Sequence, residues 1–540
     1  MGRRWRLWLL VLIIGWGIAV RSVNLGSHAY WVDEVHTAVR IAGYTKEAIT
    51  TAQFDNQIHT VSEYNTYQRL TVDRNLSDVL AALAQHPEHP PLYYLLVRWW
   101  LQLGQWLGVP QSVAGMRSLS VLFGILLLPA VAALGQELYL AHPQPGAIAP
   151  DIALAMVALS PLHILYAQEA RAYSLWSVVT VLSCWSLLRA IRCRTAGSWC
   201  SYGLIMAVGW YSHLLFVMVA IAHILYVIGL AWFPRQQKMA DLASEPRTLL
   251  LPMGSAIALS LLTFLPWIYA ILLHFSQIQA VVDAIQREPA IRYLLDVWGR
   301  NLSRVLVNQD LAGANFLILL AVLCSVFCLW RSRPWRVNGL ILALIGVNAL
   351  PLMAMDLVTG GISSTRIRYL IPAYLGLQWS IAYGLASLQQ AKRRWVRSVG
   401  RVLLTGLLIL GAIAGTMNFA QPTNWAKSDK SAYYPAMAAA INQSPNPLVI
   451  TDMSATYTLV LAAQLRPEIN MLLVNRPNQV KIPDTHNDQP ISDVFLVAAS
   501  PQLQRQLSHQ ASGELKPVVR QTERFQLLRL SISYRDEAEN

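Results

Sequence analysis

The chain has 540 residues, of which 55% are hydrophobic and only 13% charged, with a mean hydropathy of +0.39. A soluble protein carries about a quarter charged residues; this composition excludes one, and repeated apolar runs of roughly 20 residues predict a polytopic membrane protein. The net charge of +13 then belongs to cytoplasmic loops and not to a nucleic-acid surface, because Lys and Arg accumulate on that side of a membrane protein.

The first predicted span is about 5–21. Gly17 and Ala19 are placed like a signal-peptide cleavage site, but similar runs follow, so the segment reads as a retained anchor. A long polar loop, 22–113, comes next and opens with "AYWVDEVHTA". Within it, His89 to Gly108 is short for a span and carries Arg98, Gln102 and Gln105. Trp99, Trp100 and Trp106 suit a headgroup interface, and the segment is placed on the membrane surface. Further spans are predicted at about 114–136, 151–167, 172–190, 198–213, 214–232, 248–274, 311–330, 337–355, 369–388 and 402–418.

Charge supports that choice. With Arg3, Arg4 and Arg6 inside, the basic connectors Arg189/Arg192/Arg194, Arg235/Lys238/Arg247, Arg331/Arg333/Arg336 and Lys392/Arg393/Arg394/Arg397 all fall inside too. A crossing at 92–108 would turn every one of them outward, against the positive-inside bias. The connector near 138–150 has no basic residue and gives no vote.

The remainder, about 419–540, reads differently. "NPLVITD" and "DVFLVAAS" are short buried strands by pattern. "SATYTLVLAAQL" and "SPQLQRQLSHQ" are helices, and "RFQLLRLSISY" is a final strand. The expected fold is an α-helical polytopic membrane protein with about 11 transmembrane helices and a small extracytoplasmic C-terminal α/β domain. The expected domains are 1–418, including the 22–113 loop, and 419–540. The five cysteines, Cys184, Cys193, Cys200, Cys324 and Cys328, lie in apolar runs or beside basic loops. That argues against a disulfide framework, and no pair has zinc-ligand spacing.

Topology singles out ionisable residues at the outer helix ends, where they are costly and are functional candidates. Asp33 and Glu34 follow the first span. His89 precedes Pro90 and Pro91. Arg117 begins the second span, and Glu169 and Arg171 sit in "YAQEARAYSL". His213 sits at a tight turn, and Arg366 and Arg368 start a late span. Each has a structural alternative. Adjacent acids suit a helix N-terminus, and a lone histidine is often a hydrogen-bonded structural residue. Arginines snorkel to lipid phosphates, and Glu169 with Arg171 makes a plausible ion pair. The gathering of all of them on one face favours a site. Guanidinium forks on that face suit an anionic headgroup. The sequence holds no Walker A or dinucleotide-binding glycine motif, no G-x-S-x-G and no H-E-x-x-H. An external site has no cytosolic nucleotide supply, so an activated donor would arrive through the lipid.

The motifs "WVDE", "HPPLYY", "MRSLS", "YAQEARAYSL", "YSH" and "RYLIPAY" together resemble the GT-C integral-membrane glycosyltransferases that use polyprenyl-phosphate-linked sugars. The nearest resemblance is to bacterial members related to protein O-mannosyltransferases (glycosyltransferase family 39-like) and to the lipid A aminoarabinose transferase. It covers most of residues 1–390. It implies Asp33 as catalytic base, with Glu34 shaping the site. It also implies His89, Glu169, Arg171, Tyr173 and His213 lining the cavity, with Arg366 or Arg368 holding the donor phosphate. It further implies a multi-pass cell (inner) membrane protein with a cytoplasmic N-terminus and an acceptor glycan, lipid or protein outside. Protein O-mannosyltransferases carry Gly-Lys after "HPPL", where this chain has Tyr93 and Tyr94. No cofactor is assigned; a divalent metal at Asp33, Glu34, His89 or His213 is an open alternative that spacing does not establish. Two other functions stay in play: a lipid-linked-glycan transporter or flippase, and a sensor whose α/β domain is the working part.

Overall fold

The computed structural model describes residues 3–140, 148–232, 246–283, 287–332, 335–420, 432–482, 485–486, 489–511, 514–520 and 525–530. Every expected span coincides with a helix. The first is Arg3–Ser22 and the second Val113–Tyr139; the third is broken into Ala149–Leu159 and Pro161–Ala167. Then follow Tyr173–Cys193, Ala196–Ser212, Phe216–Trp232 and Leu250–Leu273. The last four are Asn315–Arg331, Trp335–Thr359, Ile371–Gln389 and Arg394–Ala420. Among the described residues, seven helices are long and apolar enough to cross a membrane, and the broken third makes an eighth if its pieces are one span. Ala196–Ser212 and Phe216–Trp232 have 17 residues each, about 26 Å of helix against a hydrocarbon layer of about 30 Å. The protein is thus a multi-pass membrane protein. The segment after His89 is a 15-residue helix, Leu92–Trp106, too short to cross that layer. Arg235, Lys238 and Arg333, residues 141–147 of the uncharged connector, and the end of the final strand beyond Leu530 lie outside the described residues.

The chain divides into two units. The first comprises Met1–Leu25, Ala84–Trp100 and Ala114–Ala420; the second comprises Gly26–Leu83, Leu101–Val113 and Gln421–Asn540.

The first unit is the helical one. Its third helix bends by 50° at the Ser160–Pro161 step. The residue before a proline is pushed out of the helical region, and Ser160 has ψ at 121°. The break frees carbonyls that need donors in an apolar interior. Arg21, fully buried, supplies them: Nη1 donates to Ala158 O (2.6 Å) and Gly17 O (2.8 Å), and Nη2 to Val157 O (2.8 Å). On the far side of the break, Gln378 donates to Ser160 Oγ (3.0 Å) and its Oε1 lies 3.0 Å from His163 Nε2. That carbonyl oxygen only accepts, so His163 carries its proton on Nε2. Gln168 adds a bond from Nε2 to Val20 O, 2.8 Å. Glu137 and Arg192 form a two-bond ion pair (2.6 and 3.1 Å) near the C-terminal ends of their helices.

The second unit is built on a six-stranded sheet. Its strands are β1 (Ile58–Thr60), β2 (Pro447–Thr451), β3 (Asn470–Leu473), β6 (Asp493–Val497), β7 (Leu515–Arg520) and β8 (Gln526–Leu530); a separate pair is β4 (Thr485–His486) and β5 (Gln489–Pro490). The order is β1-β3-β2-β6-β8-β7. β2 runs parallel to both β3 and β6, with Ile450 opposite Leu472 and Leu496. The other pairings are antiparallel. All five residues of β2 are buried, as expected for a central parallel strand covered on both faces. Leu448, Ile450, Leu472, Val494, Leu496, Leu503, Leu507 and Leu528 share one core cluster. The edge strand β1 comes from the first loop, and its neighbours Asn56, Tyr64 and Asn65 bond to Arg476, Ala455 and Ala462 respectively.

Arg21→Leu should remove the guanidinium donor from Ala158 O, Val157 O and Gly17 O, of which Val157 O keeps a long bond from Ser160 N (3.4 Å); a buried carbonyl left unsatisfied costs about 1–3 kcal/mol. We expect a lower apparent Tm of the purified protein in detergent; an unchanged melt would mean the helix break is satisfied in another way.

Candidate functional site

A collection of ionisable and aromatic side chains in the first unit centres on the turn between Pro161–Ala167 and Tyr173–Cys193. Local bonds fix this turn. Arg171 N donates to Glu169 O (2.8 Å), and Ser174 Oγ donates back to Tyr166 O (2.9 Å). The rings of Tyr166 and Tyr173 lie 4.7 Å apart across it. Ser120 Oγ reaches Arg171 O at 3.4 Å and is itself 2.7 Å from Tyr93 OH. Glu169, Arg171 and Tyr173 are only 1%, 6% and 5% exposed. A charge buried to that degree persists only where partners compensate it.

Arg171 Nη1 donates to Tyr94 OH at 3.1 Å, and its guanidinium lies 6.0 Å from the centre of the Tyr173 ring. Tyr93 and Tyr94, which replace the Gly-Lys of the resembling mannosyltransferases, thus both serve the turn, one through Ser120 and one directly. The His89 ring lies 6.3 Å from that of Tyr94, and His89 Nε2 is 3.8 Å from Glu88 Oε1.

His213 ends the Ala196–Ser212 helix. Its ring stacks on that of Trp176, 3.8 Å between centres and 3° from parallel. Its Nδ1 accepts from Leu215 N at 3.2 Å, which leaves Nε2 as the protonated nitrogen of the neutral ring. Arg171 and Arg368 both act electrostatically on His213. Glu169, Arg368 and Tyr374 all act on Tyr166. Residues from four separate stretches of sequence therefore share one neighbourhood: Glu169 with Arg171 and Tyr173, His213, Arg368, and Tyr94 beside His89.

Arg366 joins two consecutive 3-10 turns, Ser363–Thr365 and Ile367–Leu370, and Arg368 lies in the second. Asp356, 1% exposed, organises them. Its Oδ1 accepts from Ser363 N (2.9 Å), and its Oδ2 accepts from Ser364 N and Ser364 Oγ (2.6 Å each). Trp298 Nε1 donates to Ser364 Oγ (2.9 Å) and Asn301 Nδ2 to Thr365 O (2.7 Å), both from the Ile291–Val307 helix. A Cβ on Gly361 would stand 2.6 Å from Asp356 Oδ1, so the glycine is what lets carboxylate and turn meet. None of Tyr94, Trp176, Trp298, Asn301 and Asp356 was among the candidates read from sequence. Asp356 had a signal: a lone carboxylate in an apolar run, which the same cost argument flags.

The neighbourhood lies at one end of its helices. Ser120, near the start of Val113–Tyr139, faces Arg171, and Glu137 near the end of that helix pairs with Arg192. Those 17 steps correspond to about 25 Å along the axis, most of a bilayer's hydrocarbon thickness. The basic connector around Arg189, Arg192 and Arg194 is therefore at the opposite end from Glu169 and Arg171.

Asp33 and Glu34 lie in the second unit. Both are in the first turn of the Val32–Ile41 helix, where Glu34 is fully buried and Asp33 partly exposed. Trp31 occupies the N-cap, and its side chain does not cap the helix amides. Acids in that turn are stabilised by the free amide groups of the helix start. Among the described residues, no three His, Cys, Asp or Glu side chains gather into a metal-ligand group.

The fold is shared with the solved structures of ArnT. The structure of ArnT from Cupriavidus metallidurans bound to undecaprenyl phosphate superposes with a TM-score of 0.52 at 14% identity, covering 98% of each chain. ArnT in the apo state gives 0.52 and 14% over 97% of each. An Archaeoglobus fulgidus oligosaccharyltransferase in complex with Zn and sulfate reaches 0.48 at 12%, covering 97% of this chain and 73% of its own, too low for any argument to rest on it. No family model and no curated protein sequence matches the chain.

Asp356→Ala should release the turn that carries Arg366 and Arg368. In hydrogen exchange, the Ser363 and Ser364 amides should exchange about 10- to 100-fold faster, equivalent to roughly 1.5–3 kcal/mol for bonds to a charged acceptor. The Tyr173–Cys193 helix should keep its protection. Equal exchange at the turn would assign its order to Trp298 and Asn301 alone.

Proposed function

We propose that the protein is a glycosyltransferase that moves a sugar from a polyprenyl-phosphate carrier to an acceptor hydroxyl on the extracytoplasmic side of the cell (inner) membrane. The N-terminus is then cytoplasmic. The observation that carries this reading is the grouping of Arg171 and Arg368 with His213, Glu169 and several tyrosines at one end of an apolar helical unit. Guanidinium groups in such surroundings suit a lipid phosphate, and the opposite end carries the basic connector that the inside-positive bias puts in the cytoplasm. The shared fold with ArnT, whose structure holds undecaprenyl phosphate, supports a lipid-linked donor.

The chemistry follows from those groups. The acceptor oxygen attacks the anomeric carbon, and its proton passes to the Asp33 carboxylate as general base. The bond between that carbon and the lipid phosphate oxygen breaks, and the phosphate leaves as an anion. Arg366 and Arg368 carry the departing charge, with Arg171 on the buried side; preorganised donors are most effective where water is excluded. Glu34, His89, Glu169, Tyr173 and His213 orient the sugar and the acceptor. A single displacement inverts the anomeric centre and needs no covalent sugar–enzyme step.

In proteoliposomes with a polyprenyl-phosphate sugar, Asp33→Asn should fold as the parent does and lose transfer by about 10²–10⁴-fold, the usual contribution of a general base. Arg368→Ala should lower kcat by about 10²–10³-fold, as for removal of a donor to developing charge. Retained transfer in Asp33→Asn rejects that base. Lipid movement across vesicles without any glycosidic bond formed would instead make the chain a flippase.

A further inference from the structure

The second unit holds a cavity of about 330 Å³ that the chemistry above does not use, lined by Lys46, Thr50, Phe54, Asp452, Ser454 and Asn475 among others. It opens outside the carboxyl ends of β2 and β3. β3 and β6 flank β2 on opposite sides, and the cavity lies on the β3 side. In open α/β sheets, ligands bind outside the carboxyl ends of the strands. The volume is at the lower end of the roughly 300–1,000 Å³ typical of ligand sites.

The walls are held in place. Asp452 follows β2, and its Oδ1 accepts from Ser500 N (2.9 Å), just beyond β6. Asn56, in the left-handed region at φ 63°, accepts from Asn475 N (2.8 Å) and Arg476 N (3.2 Å) through Oδ1. Its Nδ2 donates to Arg476 O at 3.0 Å, which clamps the segment after β3. Tyr64 OH bonds to Ala455 O at 2.9 Å. Ser454 stands at the N-cap of Ala455–Ala462 but makes no side-chain cap bond, so its hydroxyl is not spent on the helix.

The donor and acceptor set defines a ligand class. Asp452 supplies carboxylate oxygen, Asn475 an amide, Thr50 and Ser454 hydroxyls, Lys46 an ammonium, and Phe54 an apolar wall. An apolar ligand would strand these polar groups. A dinucleotide would need glycines after β2 for close phosphate approach, and this chain has Asp452, Met453 and Ser454 there. A polyhydroxylated ring with one acidic substituent uses the whole set: hydroxyls on Asp452 and Asn475, the acid on Lys46. We propose that this cavity binds an acidic saccharide unit of the acceptor. The proposal rests on reading the chain as a glycosyltransferase, since that is what brings a saccharide to this unit.

The test uses the full chain in lipid nanodiscs and saturation-transfer NMR, with D-glucuronate and D-glucose as probes. We expect transfer to glucuronate in preference to glucose. Lys46→Ala, an exposed position, should weaken glucuronate by about tenfold or more, the size of one charge-assisted bond, and erase the preference. Asp452→Asn should weaken both sugars. Asp33→Asn should bind glucuronate as the parent does. The absence of saturation transfer, or equal binding in parent, Lys46→Ala and Asp452→Asn, overturns the proposal even if glycosyl transfer is measured. Binding with this variant pattern upholds the cavity even if glycosyl transfer fails.

Discussion

A charged side chain inside an apolar helical unit has no water to fall back on, and this constraint organises the first unit. Several buried ions there are met by arrangements that would be unnecessary at a surface. Arg21 is spent on the carbonyls of a broken helix, and Glu137 with Arg192 forms a two-bond pair. Asp356 takes three donors from one turn. Leaving such a buried group unsatisfied costs about 1–3 kcal/mol, so its neighbours hold it in place. The Tyr166–Ser174 turn differs in where its charges lead. Its backbone is closed by its own bonds, while Arg171 and Arg368 both act on His213, and Glu169 and Arg368 both act on Tyr166, across helices.

Much of this was legible in sequence because it rests on local rules. Runs of about 20 apolar residues mark the spans directly, and all eleven are helical. Proline at 161 made the third run breakable, although its length alone gave one continuous span of 151–167. Glu169, Arg171, His213 and Arg368 stood out because ions at helix ends are costly, and the structure brings them together. Residues that work by reaching sideways were not legible. Tyr94 and Trp176 are ordinary apolar-face residues until Arg171 and His213 are placed against them. Asn301 and Trp298 are found only through their partners near Arg366. The C-terminal strands were recognisable as buried apolar runs, but nothing in "QIHTV" announces that Ile58–Thr60 would complete their sheet.

The shared fold with ArnT at 14% identity illustrates how little of a membrane architecture depends on particular side chains. Apolar residues exchange freely where one lipid-facing surface is as good as another. Tyr93 and Tyr94 settle a polar balance together: one reaches Ser120 and the other Arg171, so both contribute to a single hydrogen-bonded chain behind the turn.

The pairing of β1 with β3 has a consequence for how the protein is made. Asn56 and Arg476, which clamp that edge together, are 420 residues apart. At roughly 5–20 residues per second of synthesis, the early strand waits tens of seconds for its neighbour to leave the ribosome. During that interval its backbone amides and carbonyls are an open template for any other extended chain. The brevity of β1, three residues with no fully buried side chain, makes it a poor seed for such mispairing. A strand that must be born long before its sheet is safest when it is too short to hold anything else.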